Sequence, residues 1–227
     1  MNTHPYRAWW APGIPGMSHA RTLAEHPPER LTAPAVPTVA EDIATAVDGI
    51  AALLRVLGRT DEGVTGTPAR FVRALLEIGS TNTDPATILS TTFGGVDYPS
   101  DQMIAVGPIP FVSLCEHHLL PFPGTAWVGY VPDGGRIVGL SKIPRLVDHY
   151  AARPQVQERL TTHIADALMH HLNPAGAAVV MRATHGCMAH RGVRKPGASM
   201  ITSVMRGVFM TDPTTRAEFM ALTREAT

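Results

Sequence analysis

The sequence predicts an α+β fold built around an antiparallel sheet. Apolar, β-branched segments come in two groups, within residues 103–140 and 177–209. Two stretches of helical periodicity separate the groups, and further helical segments stand before the first and after the second. Strands gathered in segregated groups, rather than one per helix, favour antiparallel pairing over parallel βαβ units.

Bulk properties narrow the functional classes. A length of 227 residues suits one substantial domain, or a domain with a helical appendage. The formal net charge is zero, so no global basic field attracts nucleic acid, and any anion site must be built locally. No apolar run reaches the length of about 18 residues that a membrane helix needs. Met1 to Gly16 lacks an apolar core of signal-peptide length, so no membrane partner and a cytoplasmic location are expected.

Residues 1–37 are rich in proline and show no sustained period, which reads as a flexible leader, with Trp9-Trp10 as an exposed pair in it. Thr38 and Glu41 have capping-box spacing. Ile43, Val47, Ile50, Leu53, Leu54 and Leu57 then recur at helical spacing up to Gly58. A second helix is expected from Thr67 to about Ile78, with Pro68 near its first turn and Arg70 and Arg73 on a shared face. Residues 38–82 read as an N-terminal helical region and 83–227 as the sheet-bearing domain.

Met103 to Leu114, Thr125 to Val131 and Arg136 to Leu140 read as strands, the last two linked by the turn Pro132-Asp133-Gly134-Gly135. Helices are expected over Lys142 to Ala152 and Pro154 to Leu172. In the second, Val156, Leu160, Ile164 and Leu168 repeat every four residues. Ala177 to Ala183 and Ser199 to Phe209 read as a second strand pair. Asp212 to Glu225 reads as a closing helix capped by Asp212.

The chain has two cysteines, Cys115 and Cys187. A disulfide or two buried thiols would account for the count alone. Their surroundings point elsewhere. Cys115-Glu116-His117-His118 follows one expected strand and His185-Gly186-Cys187 another. Zinc takes thiolate and imidazole ligands, and a catalytic site uses three protein ligands and leaves one position for water. Cys-x-x-His offers two donors from one turn, and Cys187 could supply a third from across the sheet. A closed structural site would need a fourth ligand, for which His117 or His185 is available. An open site leaves both histidines free for proton transfer.

Leu140-Ser141-Lys142 joins a strand to a helix, a junction that offers backbone N–H groups to an anion. Lys142 and Arg145 lie at that helix start, where cations oppose the helix dipole but suit a phosphate. Arg191, Arg70 and Arg73 could add charge. Gln157-Glu158 opens the long helix, and a carboxylate there can accept two N–H bonds from a guanine edge. His163, His170 and His171 fall on the same helix and read as surface or interface residues. His149 and His190 have no evident partner.

Several motifs, in order, resemble one family. Ser113-Leu114-Cys115-Glu116-His117-His118-Leu119-Leu120-Pro121-Phe122 resembles the zinc motif of GTP cyclohydrolase I. So do Val138-Gly139-Leu140-Ser141-Lys142, Gln155-Val156-Gln157-Glu158-Arg159-Leu160, Thr184-His185-Gly186-Cys187-Met188 and Arg191-Gly192. Thr202-Ser203 and Gly207-Val208-Phe209 also fit, so the resemblance runs from about Thr38 to the closing helix.

The resemblance implies a tunnelling fold, an antiparallel sheet with helices on one face, and a ring-forming homo-oligomer. In the family this is typically a decamer of two pentamers, with active sites between subunits. It implies Zn2+ on Cys115, His118 and Cys187, and His117 and His185 as the acid/base pair. Gln157 and Glu158 would hold guanine. Ser141, Lys142, Arg145 and Arg191 would meet the ribose and triphosphate, with Arg70 reaching phosphate from a neighbouring subunit.

The implied reaction opens the imidazole ring of GTP at C8, releases formate and closes 7,8-dihydroneopterin triphosphate, with Ser141 among the proton handlers. Two departures stand out. Gly186 occupies a position where a larger residue is usual, and Arg73 one where lysine is expected. A related purine-nucleotide ring hydrolase of secondary metabolism and a non-catalytic zinc-stabilised nucleotide scaffold are the alternative readings.

Overall fold

The computed structural model describes residues 38–94 and 102–225; the expected leader, with Trp9-Trp10, lies outside them. Helix α1 (Val39–Val56) opens with the expected box. Thr38 N donates to Glu41 Oε2 at 2.7 Å, and Glu41 N donates to Thr38 Oγ1 at 3.3 Å. Helices α2 (Thr67–Gly79) and α3 (Pro85–Leu89) follow, each with proline in its first turn, where no intrahelical N–H is needed.

The main sheet has five strands. Strand β1 (Thr92–Phe93) stands outside it, and β2 (Ile104–Cys115), β3 (Pro121–Val131), β5 (Pro154–Gln155), β6 (Gly176–Ala183) and β7 (Met200–Gly207) form it, in the order β5-β2-β3-β6-β7. Pairing is antiparallel from β2 to β7, as expected, while β5 runs parallel to β2. The expected strand at Arg136 to Leu140 shrinks to β4 (Ile137–Val138), which pairs with β1 instead of folding back on β3. Gly134 and Gly135 both take positive φ and carry the chain away, and the Val138 N–H finds the Tyr130 hydroxyl at 3.0 Å.

Helix α4 (Lys142–Ala151) matches expectation, but the long helix α5 (Gln157–Leu172) starts three residues later than Pro154. Pro154 and Gln155 are drawn into register with Leu114 and Cys115, and Glu116 N donates to the Gln155 carbonyl at 3.0 Å. This short parallel pairing brings the start of α5 alongside the end of β2.

Alternation along β6 separates two apolar layers. Ala177, Val179, Met181 and Ala183 join the larger cluster with Leu146 and Val147 of α4 and Leu160, Ile164 and Leu168 of α5. Ala178 and Val180 face the other way, into a cluster with Trp127, Phe209 and Phe219. The last two belong to α7 (Val208–Thr211) and α8 (Pro213–Glu225). The expectation of helices on one face is therefore corrected: α8 lies against the opposite face. A Cβ at Gly129 would stand 2.7 Å from the Phe219 ring, so the missing side chain makes the floor on which α8 rests. Asp212 caps α8, accepting from Thr214 N at 3.1 Å and Thr215 N at 2.9 Å. Among the described residues no helix is long and apolar enough to cross a membrane.

Candidate functional site

Cys115 is the last residue of β2 and is buried. The chain turns sharply after it: Leu119 N donates to the Cys115 carbonyl at 2.7 Å, Cys115 N donates to the Leu120 carbonyl at 2.9 Å, and Leu119 takes a φ of 53°. That turn folds the imidazoles back over the thiol. His118 Nδ1 lies 3.7 Å and His117 Nδ1 3.9 Å from Cys115 Sγ. Cys187 arrives from the other side of β3, in the short helix α6 (Gly186–Ala189) after β6.

One donor atom from each of Cys115, His118 and Cys187 lies within 4.8 Å of the other two. Both thiols are free, so no disulfide joins them. Two sulfurs and one imidazole nitrogen at this separation form a donor set that suits zinc and leaves a tetrahedral position over. Burial, then the adjacent Cys115 thiol, pushes the Cys187 thiol up from its ordinary value. A divalent cation held by these residues would reverse that sign and favour thiolate. Arg191 Nη1 donates to His118 Nε2 at 3.1 Å, which brings one expected phosphate ligand to the cluster.

His185 is the residue before α6, and its ring lies parallel to that of fully buried Phe122, 4.4 Å between centroids. Its Nε2 is 3.0 Å from Gln157 Oε1. An amide oxygen only accepts, so Nε2 carries the proton and Nδ1 is the nitrogen left to exchange one. Burial lowers the His185 pKa below the usual histidine value, and Glu158 acts in the opposite direction.

The resemblance implies that Gln157 and Glu158 hold guanine; the Gln157 side chain itself is turned into the fold. Gln157 is fully buried. Its two Nε2 hydrogens are shared among the Met181 carbonyl at 3.2 Å, the Met200 carbonyl at 3.2 Å and Thr202 Oγ1 at 3.1 Å. Thr161 Oγ1 donates to the Gln157 carbonyl at 2.7 Å, so the Thr202 hydroxyl must donate to Thr161 across 2.6 Å. The carboxamide is spent inside the fold, and one of its bonds positions His185. Sequence reading missed Phe122, Thr161 and Thr202 as supports; the four-residue spacing of Gln157 and Thr161 on one helix face was the available signal.

Glu158, the next residue, is exposed and free of that network. Ser141 precedes α4 without a side-chain capping bond. With Lys142, Arg145, Leu140 and Asp148 it lines a cavity of about 1100 Å3 whose walls include none of the three metal-donor residues. Arg70 donates to Thr67 Oγ1 at 3.2 Å on α2. The fold thus brings together Cys115, His117, His118, Cys187, Arg191, His185 and Gln157, while Ser141, Lys142 and Arg145 form a second group.

The family model described as GTP cyclohydrolase I matches residues 46–224. The chain belongs to the GTP cyclohydrolase I family. A GTP cyclohydrolase 1 from Mycobacteroides abscessus is 52% identical over 185 residues, covering 80% of this chain and 89% of the relative. One from Mycolicibacterium gilvum is 55% identical over 163 residues, covering 71% of this chain and 79% of the relative. These family relationships span the β2 turn, α5 and α6, the elements that carry the donor cluster and the His185 support.

Proposed function

We propose that this chain converts GTP to 7,8-dihydroneopterin triphosphate and formate at a zinc centre held by Cys115, His118 and Cys187. The observation that carries the reading is the convergence of those three donors within 4.8 Å in a member of this family. When bound there, zinc would supply Lewis acidity and a water whose pKa is lowered toward about 7.

The residues around the centre divide the remaining work. Glu158 offers a carboxylate to the guanine edge. His185, stacked on Phe122 and anchored by Gln157, presents Nδ1 for proton exchange, and burial holds its pKa below the usual histidine value. His117, whose Nδ1 lies 3.9 Å from Cys115 Sγ, is the second proton carrier. Arg191 brings positive charge to the rim, and Lys142, Arg145 and Arg70 offer further cations to the triphosphate, with Ser141 at the ribose.

The reading includes a ring-forming homo-oligomer, a decamer of two pentamers, with each active site shared between subunits. Two features support it. The Lys142–Arg145 cavity is lined by none of the metal donors, so a neighbouring chain that presents its own cavity to this centre completes one site. Strand β7 is the outer strand of the sheet and leaves one side unpaired among the described residues.

The test is direct. Incubation with GTP should release formate and give a pterin that fluoresces after oxidation. Turnover that survives both Cys115→Ser and complete zinc removal overturns the proposal.

A further inference from the structure

Four histidines that the sequence left without a role meet at the junction of α4 and α5. A recess of about 340 Å3 is lined by Tyr150, Arg153, His163, Asp166, His170 and His171. His149 stands behind it. Arg153 Nη2 donates to His149 Nε2 at 3.0 Å and to the His149 carbonyl at 3.1 Å, and the His149 Nδ1–H then donates to Thr83 Oγ1 at 2.9 Å. The guanidinium carbon lies 5.4 Å from the Tyr150 ring centre, and the His163 ring tilts against the same tyrosine at 5.5 Å. Arg153 is held in place from two sides.

Two nitrogen atoms of residues lining the recess, Arg153 Nε and His163 Nδ1, are buried and have no hydrogen-bond partner among the described residues. An arginine Nε–H can only donate, so it lacks an acceptor. Asp166, the carboxylate on the wall, is engaged by Arg206 Nε at 2.9 Å. Asp84 faces the cluster near His171, and its oxygen accepts from Thr87 N at 2.9 Å. Arg159 and Arg153 add to the effect of burial in pushing protons off His163.

We infer that this recess is a second anion site that binds a small oxyanion, carboxylate or phosphate. The positive Arg153 guanidinium, with its unpartnered Nε–H, and the imidazole N–H groups are the donors that such an anion requires, and the Tyr150 ring gives it an apolar wall. The site is distinct from the metal centre and from the Lys142–Arg145 cavity, and it gives three of the four histidines of this region a shared chemistry.

The test uses the full chain carrying Lys142→Ala and Arg145→Ala, which weakens the phosphate site proposed above. Calorimetric titration with inorganic phosphate, and separately with acetate, should show saturable binding of at least one of them. Adding His170→Ala and His171→Ala, both exposed positions, should weaken that binding at least about tenfold without changing the melting temperature of the ligand-free protein. Binding of phosphate alone marks a tetrahedral ligand, and binding of acetate alone a planar one. No saturable binding, or binding that the two histidine substitutions leave unchanged, overturns the inference. GTP turnover is not the readout, so this outcome is independent of the proposed catalytic activity.

Discussion

His185 Nε2 and Gln157 Oε1 lie 3.0 Å apart, and the Gln157 amide nitrogen is at the same time committed to Met181, Met200 and Thr202. The catalytic candidate is therefore oriented by a side chain that is itself buried inside the fold. Gln157→Leu keeps the volume and removes the anchor. It should lower kcat about tenfold to a hundredfold with a much smaller change in KM and unchanged zinc content. It should also cost about 1–3 kcal/mol of stability, because two buried carbonyls lose their donor. Steady-state kinetics with metal analysis checks this; an unaltered kcat removes the positioning role.

Cys187→Ser should reduce bound zinc and GTP turnover together, since serine is a far poorer zinc ligand than thiolate. Native mass spectrometry of metal content, alongside formate release, gives the comparison. Loss of turnover with full zinc retention would move Cys187 out of the ligand set.

Mixed subunits separate the two groups of site residues. Cys115→Ser and Lys142→Ala chains should each be inactive alone. After co-refolding at equal amounts, random assortment should restore about one quarter of the wild-type sites if each site draws on two chains. Absence of any recovery would place both groups in one chain's own site.

Acid stability reports on His149. Burial, then Arg153, lowers its pKa below the ordinary 6.5. Unfolded chains therefore take up the proton first as pH falls. The stabilisation is complete above about pH 6.5 and is lost on acidification toward the lower folded value. Melting temperature measured from about pH 5 to 7 should fall less steeply in His149→Gln than in the parent. Equal slopes would show that other groups dominate.

Much of the fold was legible because its long elements repeat. The capping box at Thr38, the apolar period of α5 and the β-branched runs of β2 and β6 each signal locally. The metal donors were legible because Cys-x-x-His and His-x-Cys each end a strand-like run. Two-residue strands carry no period, so neither the pairing of β4 with β1 nor the diversion of Pro154-Gln155 into the sheet could be read. The inward turn of Gln157 was also hidden, since it depends on Thr202, which lies 45 positions away. Gly186 has a local reason that sequence could not show: a Cβ there would stand 2.8 Å from the Pro121 carbonyl.

Strand β7 ends the sheet with eight residues of backbone, Met200–Gly207, whose outer polar groups have no ladder among the described residues. Such an edge recognises a neighbour through peptide groups, not side chains. In the proposed ring, a join of this kind would persist while the outward-facing sequence drifts over evolutionary time. One proline at a donor position would sever it, whatever the surrounding residues.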